Sequence, residues 1–154
     1  MEIEQIKETI MAWDTMLSQR MKKYIHYRSM RNFVLHYDEI QSQNVQDKIS
    51  LLLSDYIKEV EGSDYDFDAE SSYYLARKYL SKLSEYYKEY SNFIGVLKIK
   101  TVFLWGILGD SLLYLSGLLS NLWYIPVVTV GLFLYYLFIA IFKEPQGRVY
   151  GLYY

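Results

Sequence analysis

Apolar residues recur every three or four positions at Ile3, Ile6, Ile10, Trp13, Leu17, Tyr24, Tyr27 and Val34, the spacing of one buried stripe on a helix. Neither Pro nor Gly interrupts residues 2–37, so the pattern predicts one long helix. Residues 38–44 read as a connection, with Asn44 as the N-cap of a second helix and Asp47 near the positive end of its dipole. Val45, Ile49, Leu52, Leu53, Tyr56, Ile57 and Val60 form the apolar stripe of that helix, and Gly62 marks its end. Beyond an acidic link at 63–68, Leu75, Tyr79, Leu80, Leu83, Tyr87, Tyr90, Ile94 and Leu97 predict a third helix from Ala69, running on toward Thr101. Alternating β-branched runs and Asn-Gly or Asp-Gly turns are absent, so no strand is expected.

The pattern then changes character. Between Lys100 and Lys143 lie 42 residues with a single formal charge, Asp110. Two spans of about 20 apolar residues fit this stretch, at 101–119 and 122–142, with a break where Ser116, Gly117, Ser120 and Asn121 cluster. The expected fold class is therefore all-α: a helical cytoplasmic domain over 1–98, a transmembrane helical hairpin over 99–143, and a cytoplasmic tail over 144–154. Lys98 and Lys100 precede the first span, Lys143 and Arg148 follow the second, and the connection is uncharged. Basic flanks stay on the cytoplasmic side, so both termini are expected there, at a bacterial inner membrane. Trp123 and Tyr124 suit the far headgroup layer, and Pro126 the first turns of the second span. Residues 1–6 carry no basic segment followed by an apolar run, so no cleaved signal is expected.

Composition narrows the chemistry. The chain has 154 residues and no cysteine, which removes disulfides, thiolate catalysis and cysteine-based metal sites. With two histidines ten residues apart, no metal site is proposed, and the absence of glycine-rich phosphate loops and nucleophile elbows leaves no cofactor to expect. The acidic run from Asp64 through Asp66, Asp68 and Glu70 has Ala69 where a calcium loop needs Gly and Leu75 where it needs Glu. A net charge of −2 conceals a basic segment containing Arg20, Lys22, Lys23, Arg28 and Arg31 and an acidic one over residues 55–70. Segregated charge favours complementary contacts within or between subunits, so Arg20, Lys22, Lys23 and Arg28 are matched with Asp64, Asp66 and Asp68; two solvated faces are the alternative. Tyrosine, at 18 residues, supplies large apolar bodies with polar tips.

Two constellations carry candidate chemistry. At helical spacing Gly106, Asp110, Leu113, Gly117 and Ser120 share a small, polar face, widened by Gly109 and Ser116. Small residues let membrane helices approach closely, and a carboxylate at that depth faces protein or water. Asp110 thus serves either as packing glue, hydrogen-bonded to a partner such as Thr129 or Tyr135, or as a pore-lining or proton-sensing group. The second constellation is Arg31-Asn32-Phe33-Val34-Leu35-His36. Imidazole titrates near neutral pH and guanidinium suits phosphate, but residues five apart on a helix lie about 140° from each other. They converge on one phosphate only at a helix start or across a dimer.

The Arg-Asn-x-x-x-His pattern resembles the motif of the HEPN superfamily, helical domains that often cleave RNA without metal. Joined to membrane helices in so short a chain, it is similar to the accessory membrane proteins of RNA-targeting CRISPR systems. The resemblance rests on six residues and the architecture. It implies an oligomeric, pore-like assembly that perturbs the inner membrane in antiviral defence, with Arg31, Asn32 and His36 as motif residues. On this reading the chain is a homo-oligomeric effector forming or gating a pore, not an enzyme. Its partners are membrane lipid, further copies of itself and a protein or RNA–protein defence complex, with no DNA. A membrane-anchored scaffold or adaptor is the runner-up, and a membrane-bound ribonuclease using Arg31 and His36 the third.

Overall fold

The computed structural model describes residues 1–96, 99–117 and 126–151. The chain is mostly helical and divides into two units, one of residues 1–96 with 147–154 and one of 97–146. In chain order the larger unit contains α1 (Ile3–Met16), α2 (Gln19–Tyr24), α3 (Tyr27–Leu35), a 3-10 turn (Tyr37–Glu39), α4 (Gln43–Gly62), α5 (Ala69–Leu75) and α6 (Ser81–Ser91). A π-helical turn over Ala76–Leu80 joins α5 to α6. Strand β1 (Ile94–Val96) follows, and β2 (Val149–Gly151) closes the unit. The smaller unit contains α7 (Ile99–Leu115) and α8 (Val127–Phe138), the latter continued by a π turn to Lys143.

The single helix expected over 2–37 is three helices. Leu17 is extended, Ser18 caps α2 by accepting from the Met21 N–H at 3.2 Å, and His26 adopts a left-handed φ of 54°. These two breaks fold α3 back against α1 and bury Ile6, Ile10, Trp13, Ile25, Met30 and Phe33 together with α4. A helix end leaves carbonyls without intrahelical partners. At the second break the fully buried Tyr56 hydroxyl donates to the Ile25 carbonyl, so the bend is satisfied from α4. Ser42, not Asn44, is the N-cap of α4.

The abundant tyrosines brace this core. Trp13 meets the Tyr56 and Tyr65 rings edge-on at 5.9 and 6.4 Å, and Phe33 stacks on Tyr87 at 4.6 Å. The Tyr87 hydroxyl donates to the Phe33 carbonyl at 2.6 Å, so this ring contributes both apolar area and a polar bond. The third helix ends at Ser91, earlier than expected, because Asn92 turns left-handed (φ 53°) and Phe93 inserts beside Phe33 and Tyr87.

Strands were not expected, yet β1 and β2 pair in parallel with Ile94 opposite Val149 and Val96 opposite Gly151. Each is three residues long, below the length at which alternation becomes visible. Residues 147–151 therefore belong to the larger unit and are not a separate tail.

Trp13→Ala is expected to lower the stability of the larger unit by about 3–5 kcal/mol, the cost of deleting a buried aromatic. Denaturant unfolding of the detergent-solubilised full chain, followed by far-UV circular dichroism, measures this. A loss below 1 kcal/mol would show that α1 is not central to the core.

Candidate functional site

Three clusters account for the candidate residues, the first being the motif on α3. Asn32 is buried, and its Nδ2 donates to the Val149 carbonyl at 2.8 Å. One turn earlier the Ser29 hydroxyl bonds the Gly151 carbonyl and amide at 3.3 and 3.2 Å. His36 lies edge-on to Phe93, with Nδ1 2.8 Å from Glu39 Oε1. That same Glu39 oxygen accepts from Arg148 at 2.8 Å, while the other arm of Arg148 reaches the Ser91 carbonyl. Gly147, at φ 68°, runs so close that an added Cβ would meet His36 Nε2 at 3.3 Å and Asn32 Oδ1 at 3.4 Å. Asn32 and His36 thus hold the returning chain; Arg31 is exposed and belongs to another cluster.

The second cluster is a cleft of about 330 Å³ lined by Asp14, Gln19, Lys22, Lys23, His26, Tyr27, Arg28 and Arg31. It forms because the breaks after α1 and α2 bring the C-terminal end of α1, the short α2 and the start of α3 together. Lys22 donates to the Asp14 carboxylate at 2.9 Å and to its carbonyl at 2.5 Å, and this pairing holds the Asp14 carboxyl below the usual range. His26 is buried, and its Nε2 donates to the Ser72 carbonyl at 2.9 Å. Arg20 lies outside the cleft, over the Tyr24 ring at 5.5 Å.

The third cluster is the seam between α7 and α8. Asp110 accepts from the Val128 N–H at 2.7 Å, the Thr129 N–H at 3.1 Å and the Thr129 hydroxyl at 2.6 Å. It therefore caps the first turn of α8 from the neighbouring helix. A Cβ added at Gly106 would meet Thr129 Oγ1 at 2.7 Å, and one at Gly109 would meet Val128 Cγ1 at 2.9 Å, so both glycines permit the close approach. Leu113 is half-buried on the same side. Gly117 follows α7 at φ 78°, a conformation that suits glycine after a helix end. Ser120, Trp123 and Tyr124 lie outside the described residues.

Within the acidic segment, Asp68 is the N-cap of α5, accepting from the Ser71 N–H at 2.8 Å. Asp64 sits in a left-handed turn at φ 50°. Glu59 accepts from Lys78 at 2.6 Å and from the Tyr79 hydroxyl at 2.5 Å; burial, then this bond, push the Tyr79 phenol up to about 12. Among the described residues no group of three or more His, Asp or Glu side chains is placed to hold a metal ion. Thr129, expected as a partner for Asp110, is one, and Arg148 and Tyr27 are read from the sequence only as a basic flank and an apolar stripe position, whereas Ser29 and Gly147 escape a reading of the sequence. Only Ser29 left a trace, since Ser29, Asn32 and His36 fall at helical spacing on one face. Comparison with protein-family models, with curated proteins and with solved structures finds no match to this chain.

Asn32→Ala is expected to cost about 1–3 kcal/mol by leaving the buried Val149 carbonyl unsatisfied, and to quicken hydrogen exchange at residues 149–151 selectively. Uniform exchange across the unit would contradict the assignment. His26 supplies a pH test. Burial, opposed by the Ser72 carbonyl, holds its pKa below the ordinary imidazole value. The unfolded chain therefore binds more protons, and the His26 contribution is complete above pH about 6.5 and is lost as pH falls toward the folded-state value. His26→Asn, which tolerates a left-handed φ, should flatten stability against pH in that window; an unchanged slope would refute the assignment.

Proposed function

We propose that this chain is a membrane-anchored helical protein: residues 97–146 insert in a bilayer as a hairpin, and the larger unit acts at the membrane face as a binding domain. One observation carries this reading. Among the described residues, seventeen large apolar side chains of α7, α8 and the following turn are exposed, including Phe103, Trp105, Leu112, Phe133, Leu137 and Phe142, against seven on the larger unit. Soluble proteins rarely leave so much contiguous apolar surface in water, and a helix pair apolar on all but its shared seam matches a lipid-facing hairpin. Among the described residues no helix is long and apolar enough to cross a membrane. The support for insertion is that exposed surface together with the 42-residue run that holds one charge.

The adaptor role is favoured over a channel because the one ionisable carboxylate of the hairpin is already used. Asp110 is satisfied by Val128 and Thr129, and the Ser111 hydroxyl bonds its own helix at the Ile107 carbonyl, 2.7 Å away. The oligomeric effector that forms or gates a pore in antiviral defence is the second reading. Its support is that the exposed apolar surface extends around both helices, which is room for neighbouring copies to pack. A ribonuclease is the least supported, because Asn32 is bonded to the Val149 carbonyl, His36 to Glu39, and Arg31 lines a different cluster.

Expressed in bacteria, the full chain is expected to stay in the membrane pellet after alkaline carbonate washing, and recovery in the soluble fraction would overturn the anchor. Gly106→Leu should destabilise the hairpin, and Gly131→Leu, where an added Cβ meets nothing within 4 Å, should not; limited proteolysis in detergent separates the two. In dye-loaded vesicles the wild-type protein is expected to cause no leakage. Leakage that Asp110→Leu alters would move the pore to first place.

A further inference from the structure

We propose that the exposed basic face formed by α2 and the first half of α3 docks on the surface of an anionic bilayer, an inference that rests on the membrane anchor and names what the larger unit binds there. Residues 15–37 contain no Asp or Glu. Arg20, Lys23 and Arg31 are exposed. Lys23 and Arg31 face one groove, and Arg20 lies one turn before Lys23 on α2. The carboxylate that reaches this face is Asp14, which accepts from Lys22 at 2.9 Å. Arg20, Lys22, Lys23 and Arg31 are four cations against that one carboxylate, an excess of three. Arg28 is engaged within the chain and adds nothing to this excess.

Two further features suit a bilayer surface. Met16, at the end of α1 that leads into α2, is 68% exposed, and the half-buried Tyr24 ring lies 5.5 Å from the Arg20 guanidinium. Interfacial attachment combines cations with apolar side chains that enter the headgroup boundary, and tyrosine is favoured in that layer because its body is apolar and its tip polar. The magnitude then selects the partner. Each Lys or Arg near an anionic surface contributes about fivefold to binding, so three in excess give on the order of a hundredfold. That is too little to hold an untethered protein, since stable attachment takes two signals. A hairpin in the same bilayer is the second signal, and it keeps the lipid surface at high local concentration. An acidic partner in solution receives no such help.

The test places the full chain in nanodiscs of phosphatidylcholine, alone or with phosphatidylglycerol, at low salt. The chain has no cysteine, so Gln19→Cys, next to Arg20 on α2, introduces a single thiol whose rate of labelling by a polyethylene-glycol maleimide reports whether the face is covered. Labelling is expected to slow about tenfold or more in the anionic discs and to recover as added salt shortens the screening length. Lys82→Cys, an exposed position on α6, should label at one rate in both lipids. Arg20→Gln, Lys23→Gln and Arg31→Gln together should abolish the slowing at Gln19→Cys, whereas Arg20→Lys with Arg31→Lys, which keeps the charge, should retain it. A chain that does not elute with the discs overturns the anchor and the docking together. Elution with the discs overturns the docking alone if labelling is equal in the two lipids, slows equally at both thiols, or slows as much after the triple substitution. So does slowing that an added oligonucleotide produces and phosphatidylglycerol does not, which would assign the face to nucleic acid.

Discussion

The larger unit depends on the return of the chain at residues 147–151. Its last element, β2, is three residues long and has no stability of its own. It is held by the ladder to β1, by Asn32 and Ser29 of α3, and by Arg148, which ties Glu39 to the Ser91 carbonyl. The consequence is topological. Along the chain, residues 97–146 fall between the two partners of this ladder, after β1 and before β2. This polar fastening joins α3, β1 and β2 within the larger unit.

The same fastening changes the meaning of the most suggestive sequence motif. Arg31, Asn32 and His36 look like a unit when read along the chain, but a helix separates the outer two by about 140°. Asn32 and His36 fall with Ser29 on the face that receives residues 147–151, while Arg31 joins Lys23 and Arg28 in the cleft. A buried amide bonded to a backbone carbonyl is a structural commitment, since breaking it leaves that carbonyl unsatisfied. The chemistry that the motif suggests would require Asn32 to release the Val149 carbonyl and His36 to release Glu39.

Most helices were legible because their stripes are long: Ile49, Leu53, Tyr56, Ile57 and Val60 are fully buried on α4, as are Leu83 and Tyr87 on α6. The breaks in the first 37 residues were not, because neither uses Pro or Gly. One depends on Ser18 as a cap and the other on His26 in a left-handed conformation braced by Tyr56 and Ser72. Only tertiary contacts make the second break affordable, and such contacts leave no local signature. The strands were hidden for a related reason, their partners being 55 residues apart at Ile94 and Val149 and each too short to show alternation. In the hairpin the small face was readable at Gly106 and Asp110, but the role of Asp110 as a cap depends on the register of α8, which sequence spacing along α7 does not contain.

These local departures share one physical origin: polar groups in unusual places are satisfied by distant partners. Asp110 caps a helix 18 residues away, Tyr56 satisfies the end of α2, and Asn32 satisfies a carbonyl 117 residues on. Each pairing lets an apolar element bend or terminate without leaving a buried donor or acceptor unmatched, which is the condition for burial at all.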